Sequence, residues 1–126
     1  MKNYGVNNIY FFDTYAIIEI LKGNDNYEKY KKNKVLTGIL NIIELHYFLL
    51  RRDEQLARKI TLDYSKFILP LTLDIIFEAN IFRYKNKRKK ISTADSIGYV
   101  LALKNNILFL TGDKEFKGLD NVEFVD

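Results

Sequence analysis

The sequence predicts a three-layer α/β fold in which helices cover both faces of a mainly parallel central sheet. Short apolar runs alternate along the chain with longer segments of helical periodicity, which is typical of parallel strands joined by helices. The runs at residues 9–12 and 107–110 contain only hydrophobic residues, as strands buried on both faces do. Each is followed within a few residues by an acid, Asp13 or Asp113. Because ligands bind outside the carboxyl ends of parallel strands, both acids are expected at a binding edge.

The composition indicates one globular domain covering residues 1–126. Hydrophobic residues make up 48% and aromatic residues 14% of the chain, which favours a packed core over disorder. The absence of cysteine excludes disulfides and thiolate metal sites, and it is usual for cytosolic proteins. No apolar signal-peptide segment precedes Asp13, and no run approaches the roughly 18 apolar residues of a membrane helix. We therefore expect a soluble, cytoplasmic protein with no membrane partner.

The periodicity divides the chain into eleven elements without internal repeats or linkers. Five strands are predicted, at residues 9–13, 34–37, 67–71, 107–110 and 122–125. Six helices are predicted, at residues 14–22, 25–33, 38–50, 53–65, 72–84 and 92–105.

In the first half of the chain, helix start and stop signals separate the elements. Gly23-Asn24 ends the first helix, and Asp25 can cap the short charged helix that follows it. A short apolar run then forms the second strand. The helix at 38–50 is apolar nearly all round, which predicts a buried helix.

In the second half, Asp53 opens a more polar helix with Leu56, Ile60 and Tyr64 at helical spacing. Pro70 lacks a backbone N–H, so the run around it fits a short edge strand or the end of one.

The last two helices precede the strand that ends near Asp113. The helix at 72–84 is expected to turn four apolar residues inward: Leu73, Ile76, Phe77 and Ile81. Ser92 begins the final helix, and Asn105-Asn106 ends it before the strand at 107–110. A short strand at 122–125 closes the chain.

Three candidate acids each have a structural alternative when taken alone. Asp13 at a strand end can cap the next helix, and Asp113 follows Gly112 in a turn, where aspartate is common. Glu44 lies on an apolar helix face, where an ionised carboxylate is costly to bury without a partner. A cation, a cleft or a salt bridge would each explain Glu44.

The fourth candidate, Asp95, has two roles open to it. Ser92-x-x-Asp95 approximates a capping box, in which the acid satisfies backbone N–H groups. The same helix places Gly98 and Ala102 on the Asp95 face. Small residues there would let the helix approach the sheet closely and hold Asp95 near the strand ends.

Other charged residues have weaker claims. His46 points to roughly the opposite side of its helix from Glu44, so we interpret it as structural. Glu115 and Asp120 are read as solvated surface acids. The basic run from Arg83 to Lys90 is either a solvated loop or a contact for a nucleic-acid backbone.

Taken together, the acids follow a known order along the chain. The segments that carry it are FFDTYAIIEIL at 11–21, NIIEL at 41–45, STADSIGYVLAL at 92–103 and LFLTGDKEF at 108–116. This order resembles the PIN domain family, and within it the small VapC-like toxins of type II toxin–antitoxin pairs. The most specific match is the T-x-D-x-x-F ending formed by Thr111, Asp113 and Phe116. The resemblance covers essentially the whole chain.

The resemblance implies a metal-dependent endoribonuclease that hydrolyses RNA phosphodiester bonds, held in check by an antitoxin protein, and it also implies a possible homodimer. It implies a catalytic set of Asp13, Glu44, Asp95 and Asp113. Of these, Asp13, Asp95 and Asp113 would bind Mg²⁺ or Mn²⁺ directly or through water, while Glu44 would be a further metal-site acid or would position the attacking water. Thr14 and Thr111 would hydrogen-bond to the site acids or to phosphate.

The chemistry of these residue types agrees with that implication. Clustered carboxylates raise each other's pKa unless a cation offsets their charge. Oxygen ligands suit Mg²⁺ or Mn²⁺, whereas the lack of cysteine and the single histidine argue against zinc.

Alternatives from other classes stay open. One is a PIN-like nuclease in RNA processing or decay, and another is a non-catalytic nucleic-acid-binding or scaffold domain. Phosphotransfer enzymes fit less well. A haloacid-dehalogenase-like site wants a second Asp where the chain has Tyr15, and a response-regulator-like site wants a further acid beside Asp13, where the chain has Phe12.

Overall fold

The computed structural model describes residues 9–126, so the N-terminal segment for which the sequence predicts no signal peptide lies largely outside the described residues. The described strands are β1 Tyr10–Phe12, β2 Val35–Leu36, β3 Leu108–Thr111 and β4 Val122–Phe124. The α-helices are α1 Thr14–Leu21, α2 Ile39–Leu49, α3 Glu54–Tyr64, α4 Leu73–Lys85 and α5 Thr93–Lys104. Short 3₁₀ segments occur at Asp25–Tyr30, Ser65–Phe67 and Lys114–Phe116.

The four strands form one sheet in the order β2-β1-β3-β4, and each neighbouring pair is parallel. Phe12 of β1 lies opposite Leu110 of β3, so the two strands end at nearly the same level. The predicted three-layer α/β fold with a mainly parallel sheet is confirmed. Its consequence for the site is that the residues following β1 and β3 emerge side by side.

Side chains that alternate along the strands build a core on each face of the sheet. Phe11 and Phe109 stack with ring centroids 5.7 Å apart and belong to the core formed with α4 and α5. Phe12 and Leu110 point to the other face and belong to the core formed with α1, α2 and α3. Helices therefore cover both faces, which explains why β1 and the centre of β3 are buried throughout.

A glycine sets the distance between α5 and the sheet. A Cβ atom on Gly98 would lie 2.8 Å from Phe11 Cε1 and 3.1 Å from Phe109 Cε1, so a larger residue does not fit without movement. The fully buried Ala102 lies one turn further along the helix. The predicted close approach of α5 through small residues is confirmed at Gly98.

The predicted strand at 67–71 is reduced to a single parallel bridge between Thr37 and Ile68. Thr37 N–H donates to Phe67 O at 3.1 Å, and Leu69 N–H donates to Thr37 O at 2.9 Å. The partner segment enters helix α2 at Ile39, two residues after Thr37, so the ladder goes no further.

The prediction that α2 is a buried helix is wrong for one of its faces. That face is exposed and consists of Ile39, Ile43, Tyr47 and Leu50. Helix α2 packs on α1 and α3, and the face with these four residues is left open to solvent. An all-round apolar sequence does not reveal which side its neighbours cover.

The inward face predicted for α4 is wrong for three of its four residues, and the fourth, Ile76, is half-buried. Leu73, Phe77 and Ile81 are exposed, whereas Ile75 and Ala79 are buried against α5 and the sheet. The buried face is set by the small Ala79, which allows α4 to pack closely on α5. Among the described residues, no helix is both long and apolar enough to cross a membrane.

Candidate active site

The strand register places Asp13 and Thr111 next to each other at the carboxyl edge of the sheet. Asp13 directly follows β1, and its N–H donates to Leu110 O at 3.2 Å. Thr111 ends β3, and its hydroxyl donates to Asp13 Oδ2 at 2.5 Å. The other carboxyl oxygen, Oδ1, accepts the N–H of Ala16 at 2.7 Å and so caps α1. The capping role considered for Asp13 is therefore real, and it coexists with a position at the edge.

Burial dominates the electrostatics of Asp13. The side chain is 1% exposed, and loss of solvent raises its pKa to about 8. The hydrogen bonds from Thr111 and from the Ala16 N–H act in the opposite direction. The charges of Asp95 and Asp113 raise the pKa further, which shows that these two carboxylates lie within electrostatic reach.

The loop after β3 presents Asp113. Thr111 Oγ1 accepts the Asp113 N–H at 3.0 Å, so the threonine that holds Asp13 also fixes the loop. Asp113 Oδ1 accepts the N–H of Glu115 at 3.0 Å and caps the 3₁₀ segment that follows. Thr111 is fully buried, and Asp113 is partly exposed at the end of this chain of contacts.

Asp95 faces Asp113 from the first turn of α5. Ser92 Oγ caps the helix by accepting the Asp95 N–H at 3.0 Å. Burial raises the pKa of Asp95 to about 6, a hydrogen bond with Ser92 lowers it, and the charges of Asp113 and Glu44 raise it. A side-chain hydrogen bond with Asp113 raises it further, because that contact requires a proton between the two carboxyl groups.

Glu44 reaches the same edge from α2, with its residue exposed to solvent. Its Oε1 accepts the hydroxyl of Thr14 at 2.5 Å, and Thr14 Oγ1 accepts Asn41 Nδ2–H at 3.1 Å. Asn41 is only 2% exposed, so it holds Thr14 from beneath. Asn41 is not among the site residues predicted from the sequence. Its polar amide on an otherwise apolar helix was the available signal.

Gly112 is a second feature that the sequence analysis did not interpret. A Cβ at this position would lie 2.8 Å from the Tyr27 hydroxyl and closer still to the ring of Tyr15. The loop that presents Asp113 therefore fits against these tyrosines only because residue 112 has no side chain. Tyr15 is 46% exposed.

Four acids, Asp13, Glu44, Asp95 and Asp113, thus converge on one edge, which we call the acidic edge. His46 does not join them and instead lines a surface groove between α2 and α3. Asp120 is exposed in the turn before β4, and Glu115 contributes its backbone N–H to the acidic edge.

The donor chemistry of the acidic edge suits a hard divalent cation, since all of its candidate ligands are carboxylates. Within residues 9–126, however, no three Asp, Glu or His side chains surround a common point as a metal-binding group would. Asp13 accepts hydrogen bonds from Ala16 and Thr111, and Glu44 accepts one from Thr14. A cation at the acidic edge would offset the repulsion that raises the pKa of Asp95, so the donor chemistry of these residues fits such an ion.

A protein-family model, described as the PIN domain, matches residues 10–122. The chain belongs to the PIN domain family. The match includes all four residues of the acidic edge and runs from β1 to the start of β4. No curated protein sequence matches the chain.

Solved PIN-fold structures superpose on this chain over nearly its full length. VapC20 from Mycobacterium tuberculosis, described as a toxin that cleaves the sarcin-ricin loop, has a TM-score of 0.75 at 16% identity and covers 94% of this chain and 100% of its own. A toxin–antitoxin complex from Klebsiella pneumoniae gives 0.73 at 18% identity, with coverage of 90% and 95%. VapBC2 from Rickettsia felis, bound to a promoter DNA fragment, gives 0.70 at 22% identity, with coverage of 94% and 99%. At these identities the likeness establishes a shared fold.

Proposed function

We propose that this PIN domain protein is a metal-dependent endoribonuclease and the toxin of a toxin–antitoxin pair. The observation that carries the proposal is the contact of Asp95 with Asp113 beside the buried Asp13, at the carboxyl edge of a parallel sheet. Membership of the family and the fold shared with VapC chains support the same activity.

In this proposal Asp13, Asp95 and Asp113 hold Mg²⁺ or Mn²⁺, directly or through water. A bound ion of this kind activates water and offsets charge on the phosphate in phosphodiester hydrolysis. Thr111 orients Asp13 and fixes the loop of Asp113. Glu44, held by Thr14, is a further metal-site acid or positions the attacking water.

The proposed partner is an antitoxin that inserts Arg or Lys into the acidic edge, because clustered carboxylates favour a cationic side chain. The proposal also places the protein in the cytoplasm, where its RNA substrate is found, as one domain over residues 1–126. A homodimer belongs to the same proposal, and light scattering of the purified protein would measure it.

The decisive assay is cleavage of RNA with and without Mg²⁺ or Mn²⁺, comparing wild type with Asp113→Asn. We expect cleavage only with metal and a loss on the order of a hundredfold or more in the variant, the scale for removing one positioned active-site acid. The matched control is Asp120→Asn, an exposed acid in the next turn that should retain wild-type activity. Equal activity of wild type and Asp113→Asn would disprove the assignment.

The toxin role is tested separately. Expression of the wild type should arrest growth, and co-expression with the neighbouring open reading frame should restore it and yield a complex. An active nuclease that caused no arrest and formed no complex would instead be an RNA-processing enzyme.

A further inference from the structure

A groove lined by cations adjoins the acidic edge. It has a volume of about 570 Å³, lies between the end of α4 and the start of α5, and is formed mainly by Asn80, Arg83, Tyr84, Lys87, Lys89 and Lys90. We call it the basic groove. It contains four of the cationic residues in the basic run that the sequence analysis left as either a solvated loop or a nucleic-acid contact.

Two hydrogen bonds connect the walls of the basic groove to the segments that carry site acids. Arg83 Nη1–H donates to Thr93 Oγ1 at 2.8 Å, and Thr93 begins the helix turn that carries Asp95. Lys89 Nζ–H donates to Glu115 O at 2.9 Å, and the Glu115 N–H donates to Asp113. The basic groove therefore opens beside the acidic edge and not on a remote surface.

Within the described part of the chain, no carboxylate forms an ion pair with a cation of the basic groove. The ion pairs found among residues 9–126 involve Lys22, Lys31 and Lys104, none of which lines the groove. Lys87 and Lys90 are exposed. Several cations gathered without carboxylate partners generate a local positive potential that attracts polyanions.

The basic groove can offset the repulsion between the acidic edge and a polyanionic substrate. Four carboxyl groups repel the phosphates of RNA, so a substrate needs positive charge elsewhere to be retained. A polyanion lying in the basic groove gains that charge and has its backbone directed toward Asp95 and Asp113.

An exposed aromatic ring favours a single strand over a duplex. Tyr84 is 72% exposed and lines the basic groove, with the Lys87 ammonium group 4.9 Å from its ring centroid. Aromatic side chains stack on unpaired bases, whereas the bases of a duplex are already stacked on each other.

We propose that the basic groove binds the phosphate backbone of single-stranded RNA and leads it to the acidic edge. The inference rests on the proposed nuclease function and adds the path by which substrate reaches it. Lys87 and Lys90 make the phosphate contacts. Arg83 and Lys89 are also tied to the protein backbone and so hold the groove against the acid-bearing segments.

The test is fluorescence anisotropy of a labelled RNA strand of about 12 nucleotides with the full chain in EDTA, so that binding is measured without cleavage. The variant Lys87→Ala/Lys90→Ala should bind about tenfold more weakly. The slope of log affinity against log salt should also fall by about 1.4, because each lost phosphate contact on a single strand contributes roughly 0.7. Duplex RNA of the same sequence should bind more weakly than the single strand.

Two control variants make the result specific. Lys59→Ala/Lys66→Ala removes the same charge from α3 and the turn after it, which lie in the layer of α2, and should bind like wild type. Lys87→Arg/Lys90→Arg keeps both charges and should also retain binding. Circular dichroism confirms that each variant is folded.

Unchanged affinity and salt slope in Lys87→Ala/Lys90→Ala would overturn the proposal, as would an equal loss in the α3 control. A polyglutamate peptide of matched charge is the competing ligand. If it bound as tightly as RNA with the same dependence on Lys87 and Lys90, the basic groove would be a docking surface for acidic peptides instead. If the wild type bound RNA through the basic groove but did not cleave it in Mg²⁺, the proposed nuclease function would be refuted and the RNA-binding role of the groove would be supported. If the wild type cleaved RNA with metal and Lys87→Ala/Lys90→Ala bound RNA like wild type, the nuclease function would be supported and the role of the groove refuted.

Discussion

The acidic edge and the basic groove adjoin each other but are organised in opposite ways. In the acidic edge, the carboxyl groups accept hydrogen bonds from backbone N–H groups and hydroxyls, and Asp13 is almost completely buried. In the basic groove, Lys87 and Lys90 extend into solvent. The acidic edge is thus positioned by the fold, whereas the basic groove acts through charge that water and salt still screen.

This difference predicts different responses to substitution. Removing a carboxylate from the acidic edge should abolish chemistry while relieving electrostatic strain in the fold. Removing a cation from the basic groove should weaken affinity in small, salt-dependent steps and leave stability unchanged.

Asp95 and Ser92 separate the chemical role of α5 from its structural role. Asp95→Asn should lower single-turnover cleavage in saturating Mg²⁺ on the order of a hundredfold, since one positioned acid is lost. Ser92→Ala should instead lose about 1 kcal/mol of stability with its N-cap and keep cleavage within a few-fold of wild type. Urea denaturation gives the stability of each. If folded Ser92→Ala lost as much activity as Asp95→Asn, the two roles would not be separable.

Gly98 tests whether the packing beneath the acidic edge positions it. Alanine normally stabilises a helix relative to glycine by about 1 kcal/mol. At Gly98, however, the new Cβ would meet Phe11 at 2.8 Å, so we expect a net loss of about 1–3 kcal/mol from overpacking. Cleavage should fall as well, because α5 carries Asp95. Urea denaturation and the cleavage assay measure both effects.

The matched control for Gly98→Ala is the double variant with Phe11→Leu, which replaces the ring that the new methyl group meets. The double variant should be less destabilised than the sum of the two single substitutions. A Gly98→Ala protein more stable than wild type would show that α5 does not rest tightly on the sheet.

Much of the acidic edge could be predicted because it follows from local signals and one topological rule. Apolar strands that end in Asp13 and near Asp113 can be read from the sequence, and parallel pairing then brings both ends to one edge. The Ser92 cap and the close approach at Gly98 were also visible as residue types at fixed spacing.

The remainder depended on tertiary neighbours that periodicity does not encode. Helix α2 is apolar nearly all round, so its sequence could not say that Ile43 and Tyr47 would be exposed. In α4 the small Ala79, and not the larger Phe77, faces α5. The orientation of the carboxyl groups could not be read from the sequence either, because Asp13 caps α1 and lies at the acidic edge at the same time.

Asp13 should show that the acidic edge costs stability when metal is absent. Its pKa is raised to about 8 in the folded protein, against an ordinary value near 4 in the unfolded chain. Between about pH 4 and pH 8, Asp13 is protonated in the folded state but ionised in the unfolded chain. The stability that this proton contributes is therefore fully present below about pH 4 and is lost as the pH rises toward 8. In EDTA at pH 8, Asp13→Asn should therefore be more stable than wild type by about 1 kcal/mol or more.

Thermal unfolding from pH 4 to pH 8 measures this effect, and the advantage of Asp13→Asn should grow across the range. Addition of Mg²⁺ should reverse the order, because binding to the folded state raises the stability of wild type alone. The control Asp120→Asn concerns an exposed acid and should change neither the pH dependence nor the response to Mg²⁺. A pH-independent difference between Asp13→Asn and wild type would contradict burial as its cause.

Arg83 belongs to the basic groove but also contacts the start of α5, and substituting it should have the smallest effect on cleavage. Its Nε–H donates to Ile91 O at 2.9 Å and its Nη1–H to Thr93 Oγ1 at 2.8 Å, so a residue of the basic groove helps to place the start of α5. Arg83→Lys keeps the charge, but a single ammonium group does not reproduce the fork of two donors. We expect salt-dependent RNA binding to stay at the wild-type level while cleavage at saturating RNA falls about two- to fivefold, within the roughly 1 kcal/mol typical of one hydrogen bond.

Lys87→Arg, also charge-conserving but without a backbone contact to preserve, should leave both quantities unchanged. If Arg83→Lys altered only binding, Arg83 would act purely as a cation of the groove and the two regions would be independent.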